Sequence, residues 1–318
     1  MNILVVRNDR FGEFLLNIPA LNALKQTFQN SKIILVVNPY LKELAKSLPA
    51  ADEILEWQQG RHSFLEKIKL IGLLKARKID IAVMLNPSKE FNLYSFLVGI
   101  PIRLGYARKW GFLLTHKVKD QKQAGLKHEI EYNLDLVGLI GAKTENRELA
   151  LPLKDCFVSL PIIPGGFASN EIIAIHPWTS DPVKQWPIKS FRELAERIVN
   201  ELNYKVLIVG KTEASQSRFF DSLNEGIHNI TNKTSLNELA VILKKCKLLV
   251  SGDSGPVHLA SCVGTPVIAL FRSDLPGKTA RRWGPWGEGH TVIERNNLAD
   301  ITVKDVLDKI EEKLNVRL

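Results

Sequence analysis

Four polar corners, each following an apolar run, hold the residues of this 318-residue chain that could do chemistry. The first, Arg7-Asn8-Asp9-Arg10-Phe11-Gly12-Glu13, follows NILVV. A carboxylate at Glu13, opening a helix after Gly12, could take a proton from a substrate hydroxyl; it could equally be a favourable acid in a first helical turn. The second, HPWTSDPVKQWP from His176 to Pro187, sets the hydroxyls of Thr179 and Ser180 and the ammonium of Lys184 before a helix. That is a clamp for an oxyanion or phosphate, or a turn with a surface lysine. The third, Gly210-Lys211-Thr212-Glu213, offers Glu213 for a ribose diol, with an exposed loop acid as the alternative. The fourth runs from Gly252 to His258 and gathers Asp253, Ser254, Gly255 and His258 at a helix start. Free N–H groups there favour an anion, although Asp253 and Ser254 could merely cap and His258 could be a satisfied core histidine.

The elements carrying these corners alternate. Lys247 to Phe271, KLLVSGDSGPVHLASCVGTPVIALF, reads as strand, short helix and strand, with Ser254 as N-cap, Pro256 in the first turn and Gly264 after the last. Upstream, NILVV, Lys32–Val37, ADEILEW, Ile79–Leu85 and IPIRLG read as strands. EFLLNIPALNALKQTF (restarted at Pro19), YLKELAKSL, Phe64–Arg77, NLYSFLVG and Leu126–Ile140 read as helices between and after them. The pattern lapses between Leu151 and Asn170 into a proline-rich stretch with Gly165-Gly166, the expected linker. It then resumes with EIIAIH, SFRELAERIVNEL, YKVLIVG, EASQSRFFDSL, IHNITN and SLNELAVILKKC. ITVKDVLDKIEEKL closes the chain as a helix capped by Thr302. The expectation is two doubly wound α/β domains, with a cleft between the carboxyl ends of their sheets.

Composition narrows the chemistry. There is no GxGxxG and no GxxxxGK[ST], which excludes dinucleotide and P-loop chemistry, and no GxSxG elbow. No DxD pair offers ligands for a divalent cation, so no metal is expected. Cys156, Cys246 and Cys262 are scattered without a CxxC, as in a protein of a reducing cytoplasm. No apolar run suggests a membrane span or a signal peptide. The net charge of +9 is concentrated: residues 61–128 carry fourteen Lys and Arg against four acids, leaving everything else near −1. The basic residues alternate with Leu, Ile, Trp and Phe, a mixture suited to an anionic, partly apolar partner such as a phosphorylated glycolipid or lipid head groups; a solvated face is the plainer alternative. No nucleic-acid module is visible, and no nucleic-acid partner is expected.

The chain resembles the glycosyltransferase family 9 enzymes, the ADP-heptose:lipopolysaccharide heptosyltransferases, along its whole length. The resemblance is carried by ILVVRNDRFGEFLLNIPALNALK, HPWTSDPVKQWP with its K-x-W-P, and SGDSGPVHLASCVGTPVIALF with its DSGPxHLA core. It implies a GT-B fold: a Rossmann-like acceptor-side domain over 1–160, a nucleotide-sugar domain over 161–300, and a final segment 301–318 returning to the N-terminal domain. It also implies inverting, metal-independent transfer of a heptose from ADP-heptose, a co-substrate rather than a cofactor, to a lipopolysaccharide core acceptor. The setting implied is the inner face of the cytoplasmic membrane, met through the basic 61–128 region. Glu13 stands where the family usually has Asp as catalytic base. Thr179, Ser180 and Lys184 match donor-phosphate positions, Asp253 a donor-sugar contact, and Ser254, Gly255 and His258 the nucleotide and phosphate side. Glu213 falls near the ribose contact and Thr234 near the adenine contact. Trp178 replaces the Gly of the HPG form, which would narrow the pocket or alter donor preference. Another nucleotide-sugar donor, a non-catalytic glycolipid-binding protein and a nucleotide-sugar epimerase are the rival readings.

Overall fold

Runs such as ILVV, IILVV and LLV have no polar position to turn toward water, so they are stable only in a sheet covered on both faces. The computed structural model describes residues 1–153, 171–221 and 223–315, and places these runs in two parallel sheets. The chain divides into two units, Met1–Arg147 and Glu148–Leu318. In the first, β1 (Asn2–Val6), β2 (Lys32–Val37), β3 (Glu53–Glu56), β4 (Ile81–Met84), β5 (Ile102–Tyr106) and β6 (His116–Val118) lie in the order β3-β2-β1-β4-β5-β6. In the second, β7 (Ile172–His176), β8 (Lys205–Ile208), β9 (Ile227–Asn229), β10 (Leu248–Gly252), β11 (Val267–Arg272) and β12 (Thr291–Arg295) lie in the order β12-β11-β10-β7-β8-β9. Numbered within its own unit, each sheet runs 3-2-1-4-5-6, the Rossmann order, and every pairing is parallel. Each unit therefore has a switch point, between β1 and β4 in the first and between β7 and β10 in the second.

β6 and β12 were not anticipated. Both are edge strands with mostly exposed side chains, so neither carries the unbroken apolar run that marks an interior strand. Several helix starts follow from local chemistry: Ser63 with Glu66, Ser235 with Glu238 and Thr302 with Asp305 form capping boxes. Helix Ile188–Leu202 buries Phe191, Leu194, Ala195, Ile198 and Leu202 on one stripe.

Backbone bonding and the packing of the last helix set the limits of the second unit. The second unit begins at Glu148. Backbone bonding explains this: Leu151 N–H donates to Cys262 O (3.0 Å), fixing the chain to the second unit before most of the expected linker. Residues 154–170 of that linker, Cys156 among them, lie outside the described residues. The final helix, Val303–Leu314, buries Val303, Val306, Leu307 and Ile310 in the second unit's core beside helix Ile188–Leu202. Its apolar stripe is thus occupied within the second unit.

Candidate active site

At the switch point of the second unit, the chain leaving β7 meets the segment between β10 and helix Gly255–Cys262. Lys184 forms an ion pair with Asp253, and both are largely buried. Burial pushes the Asp253 carboxyl above the ordinary carboxylate range, while the Lys184 ammonium opposes that rise. Ser254 occupies the N-cap position with extended backbone but makes no side-chain cap bond. Its Oγ instead lies 2.8 Å from Ser251 Oγ and 3.1 Å from His176 Nδ1. Pro256 has no N–H and the Val257 N–H donates to Ser254 O (3.2 Å), so it is the Gly255 N–H at the start of this eight-residue helix that is left without a side-chain cap, beside a lysine. The helix start contributes positive potential there, and the Lys184 ammonium, offset by Asp253, is held beside it.

The supports of this corner are apolar. Trp186 is wholly buried, donates from Nε1 to Ile301 O (2.9 Å) and meets Phe191 edge to face (4.7 Å). The tryptophan of K-x-W-P thus fixes the loop two residues beyond Lys184. Thr179 Oγ1 accepts from the Asp181 N–H (3.2 Å), and Asp181 Oδ1 accepts from Val183 N–H (3.2 Å), closing the turn that leads to Lys184. Asp181 also pairs with Lys278 (3.0 Å), a cation reaching the corner from the loop after β11. Ser180 is exposed on the same turn.

Farther along the carboxyl edge come the ends of β8 and β9. Gly210 has φ +115°, and a Cβ there would fall 2.4 Å from His176 Cδ2, so only glycine allows the His176 ring its place. Burial drives the His176 imidazole down to a pKa of about 3, so it is a neutral hydrogen-bonding group. Glu213 is exposed, at the N-cap position of helix Ala214–Ser217 and without a cap bond. Thr234 is buried just before the Ser235 cap. From β10 to β9 is three strand spacings, about 14 Å. The candidate residues are therefore strung along one edge at the scale of a nucleoside diphosphate.

Trp178 corrects its expectation. Only 5 % exposed, its ring packs edge to face against Phe220 (5.4 Å) within the core of the unit. The bulk of the indole is taken up by the core.

The first unit's switch point has the opposite character. Helix Phe11–Leu15 carries Glu13 in its first turn. Burial, and after it the neighbouring Asp9 carboxylate, raise the Glu13 pKa; Arg7 and Arg10 oppose them. Arg7 is buried, donating from Nε to Asp9 (2.7 Å) and from a terminal nitrogen to Leu85 O (3.1 Å), with Glu129 at 3.7 Å. Lys122 pairs with the same Glu129 oxygen (2.5 Å). The Tyr40 hydroxyl, held near Asp9 and Glu13, is pushed up to about 12 by burial. A carboxylate raised in this way is suited to accept a proton at neutral pH.

Comparison with known proteins decides the family. The profile of glycosyltransferase family 9 (heptosyltransferase) matches residues 68–311.

The chain belongs to glycosyltransferase family 9.

It is 24 % identical to lipopolysaccharide heptosyltransferase 2 of Escherichia coli (strain K12), with 99 % of each chain covered. Its structure is similar to a family 9 glycosyltransferase from Veillonella parvula (TM-score 0.85, 21 % identity, 99 % and 97 % of the two chains). It is also similar to the E. coli heptosyltransferase WaaC with ADP-2-deoxy-2-fluoro heptose (TM-score 0.77, 18 % identity, 98 % and 99 %). The fold is accordingly GT-B and the protein is a glycosyltransferase of the heptosyltransferase family.

Of the residues expected for a family 9 site, the structure brings Lys184, Asp253 and Ser254 together, with Gly255 opening the helix and Thr179 closing the adjoining turn. His258 is buried one turn into the helix. Glu213 and Thr234 lie on separate outer loops, and Glu13 belongs to the other unit. His176 and Ser251 were not singled out as supports. Their signal was a polar residue ending or interrupting an otherwise aliphatic strand. Lys278 gave no sequence signal, because nothing local marks a loop lysine 97 residues from its partner.

Proposed function

We propose that the protein transfers a heptose, with inversion and without a metal, from ADP-heptose to a phosphorylated lipopolysaccharide core acceptor. One observation carries the reading: the uncapped start of helix Gly255–Cys262 beside the Lys184–Asp253 pair, a built site for the diphosphate of a nucleotide sugar. Glu13 takes the proton of an acceptor hydroxyl, whose oxygen attacks the anomeric carbon from the face opposite the nucleotide. The anomeric carbon–oxygen bond breaks and its electron pair passes to the diphosphate. Lys184, the hydroxyls of Thr179 and Ser180, and the N–H at the start of helix Gly255–Cys262 stabilise that charge. Asp253 contacts the donor sugar, Ser254, Gly255 and His258 the nucleotide and phosphate side, Glu213 the ribose and Thr234 the adenine. Relatives named for heptosyl transfer, and a neighbour solved with an ADP-heptose analogue, support this donor. Basic side chains of the 61–128 region meet acceptor phosphates at the inner face of the cytoplasmic membrane.

The test is a donor screen, ADP-sugars against UDP-sugars, read by mass spectrometry on a truncated lipid acceptor. Product with ADP-heptose alone supports the proposal; product only with a UDP-sugar overturns the donor, and none with any donor overturns the activity.

A further inference from the structure

Helix Phe64–Ala76 of the first unit has two apolar faces where a surface helix needs one. Leu70 and Leu74 are buried against the sheet. On the opposite side, Leu65, Ile68, Gly72 and Ala76 follow the i, i+3, i+7, i+11 spacing of a second stripe, with Phe64 at its start. This stripe lies in solvent: Phe64 is 75 %, Leu65 77 % and Ile68 50 % exposed, and a Cβ on Gly72 would meet nothing within 4 Å. Lys69 and Lys75 flank it and take part in none of the ion pairs among the described residues. The helix's one acid, Glu66, is committed to the Ser63 capping box.

A second exposed apolar group stands on the same side of the sheet. The turn after β5 sets Lys109 and Trp110 at φ +49° and +66°, a left-handed conformation that costs such residues backbone strain. Phe112 projects from this turn 74 % exposed, beside Trp110. Asn92, on helix Lys89–Leu97, holds the turn by donating to Lys109 O (2.9 Å). Both helices pack on one sheet face, through Leu70 and Leu74 and through Phe91 and Tyr94. Trp57, in the segment leading to helix Phe64–Ala76, bonds Glu90 on the other helix (3.0 Å).

The geometry points to a two-part membrane foot: the outer stripe of helix Phe64–Ala76 and the Trp110–Phe112 turn lie in the head-group region of an anionic bilayer, with Lys69, Lys75 and Lys109 on lipid phosphates. This deepens the proposed function and rests on it for the biological setting, but its partner is the bilayer itself and it needs no acceptor sugar. A protein groove or a second copy of this chain would bury the same stripe, but the excess of cations around it favours an anionic lipid surface. The foot has a consequence for the reaction, since the turn after β5 and the Glu13 corner after β1 share the carboxyl edge of one parallel sheet.

The experiment is vesicle co-sedimentation of the full chain without donor or acceptor, on phosphatidylglycerol-containing and pure phosphatidylcholine vesicles. Wild type should bind the anionic vesicles and bind phosphatidylcholine far more weakly. Leu65→Ser/Ile68→Ser and, separately, Phe112→Ser should each lower anionic-vesicle affinity by about tenfold or more. Gly72→Glu adds a carboxylate to the stripe without touching the core and should do the same; it keeps the test decisive where a serine variant fails to fold. Transfer to a deacylated, water-soluble acceptor should be unchanged in these variants, so loss of vesicle binding and failure of the proposed activity are read separately. Vesicle binding that salt abolishes but all these variants retain would overturn the proposal. So would absence of binding, or a wild-type dimer that Gly72→Glu dissociates.

Discussion

The two units share a strand order and differ in the sign of the chemistry at their switch points. In the second, a helix start without a side-chain cap contributes positive potential beside the Lys184–Asp253 pair and a neutral histidine. In the first, the helix after β1 is a single short turn, and a buried arginine sits among Asp9, Glu13 and Glu129. One topology therefore provides a place that favours an arriving anion and a place that holds a proton acceptor. The sheet fixes where a ligand binds; the few residues after the strands decide what it is.

The contrast can be broken at either end. Glu13→Gln removes the carboxylate proposed to accept the proton and keeps the shape, so kcat should fall about 10³-fold while the donor dissociation constant, measured by titration with ADP-heptose, changes little. Normal turnover would move the base elsewhere. Lys184→Ala should lower kcat/KM about 10²–10³-fold and, by leaving the Asp253 carboxylate buried and unpaired, cost about 3 kcal/mol in chemical denaturation. An equal effect of Lys184→Ala and Lys184→Gln on kcat, with no loss of stability, would mean that the pair is not structural.

Trp178→Gly sharpens the comparison by asking whether the residue belongs to the core or to the site. Burial against Phe220 predicts a loss of about 3–5 kcal/mol in stability, read by urea denaturation, with the ADP/UDP preference of the remaining folded protein unchanged. The pH dependence is smaller. The unfolded chain protonates His176 near pH 6.5, whereas the folded chain holds it neutral to about 3, so the unfolded state binds the extra proton between those values. The stability contributed by the neutral ring is present above pH 6.5 and should fall by about 2 kcal/mol by pH 5. His176→Gln should flatten that slope.

Interior strands were legible because burial on both faces leaves an unbroken aliphatic run: Lys32–Val37 matches its expected limits residue for residue. β6, with the sequence HKV, and β12, with TVIER, were not, because an edge strand is only half covered and its polar residues are tolerated. The final helix shows a similar divide. Thr302 and the spacing of Val303, Val306, Leu307 and Ile310 announced the helix and its buried stripe, but periodicity says which face is covered and not by what. At the site, Asp253 and Ser254 were readable because polar residues directly after apolar strands sit at a sheet's carboxyl edge, and Lys184 because it follows two hydroxyls in the loop between a strand and a helix. Trp178 misled for the same reason: its place in the chain indicated the edge, while its size and apolarity sent the ring inward.

The bond from the Trp186 indole to Ile301 O joins the segment just beyond Lys184 to the residue that precedes the Thr302 cap. Shortening the chain from its carboxyl end would pull on that fastening before it reached any ligand-handling residue. A trimmed or poorly tagged protein should accordingly grip its donor less firmly, although every group in contact with the donor would still be there.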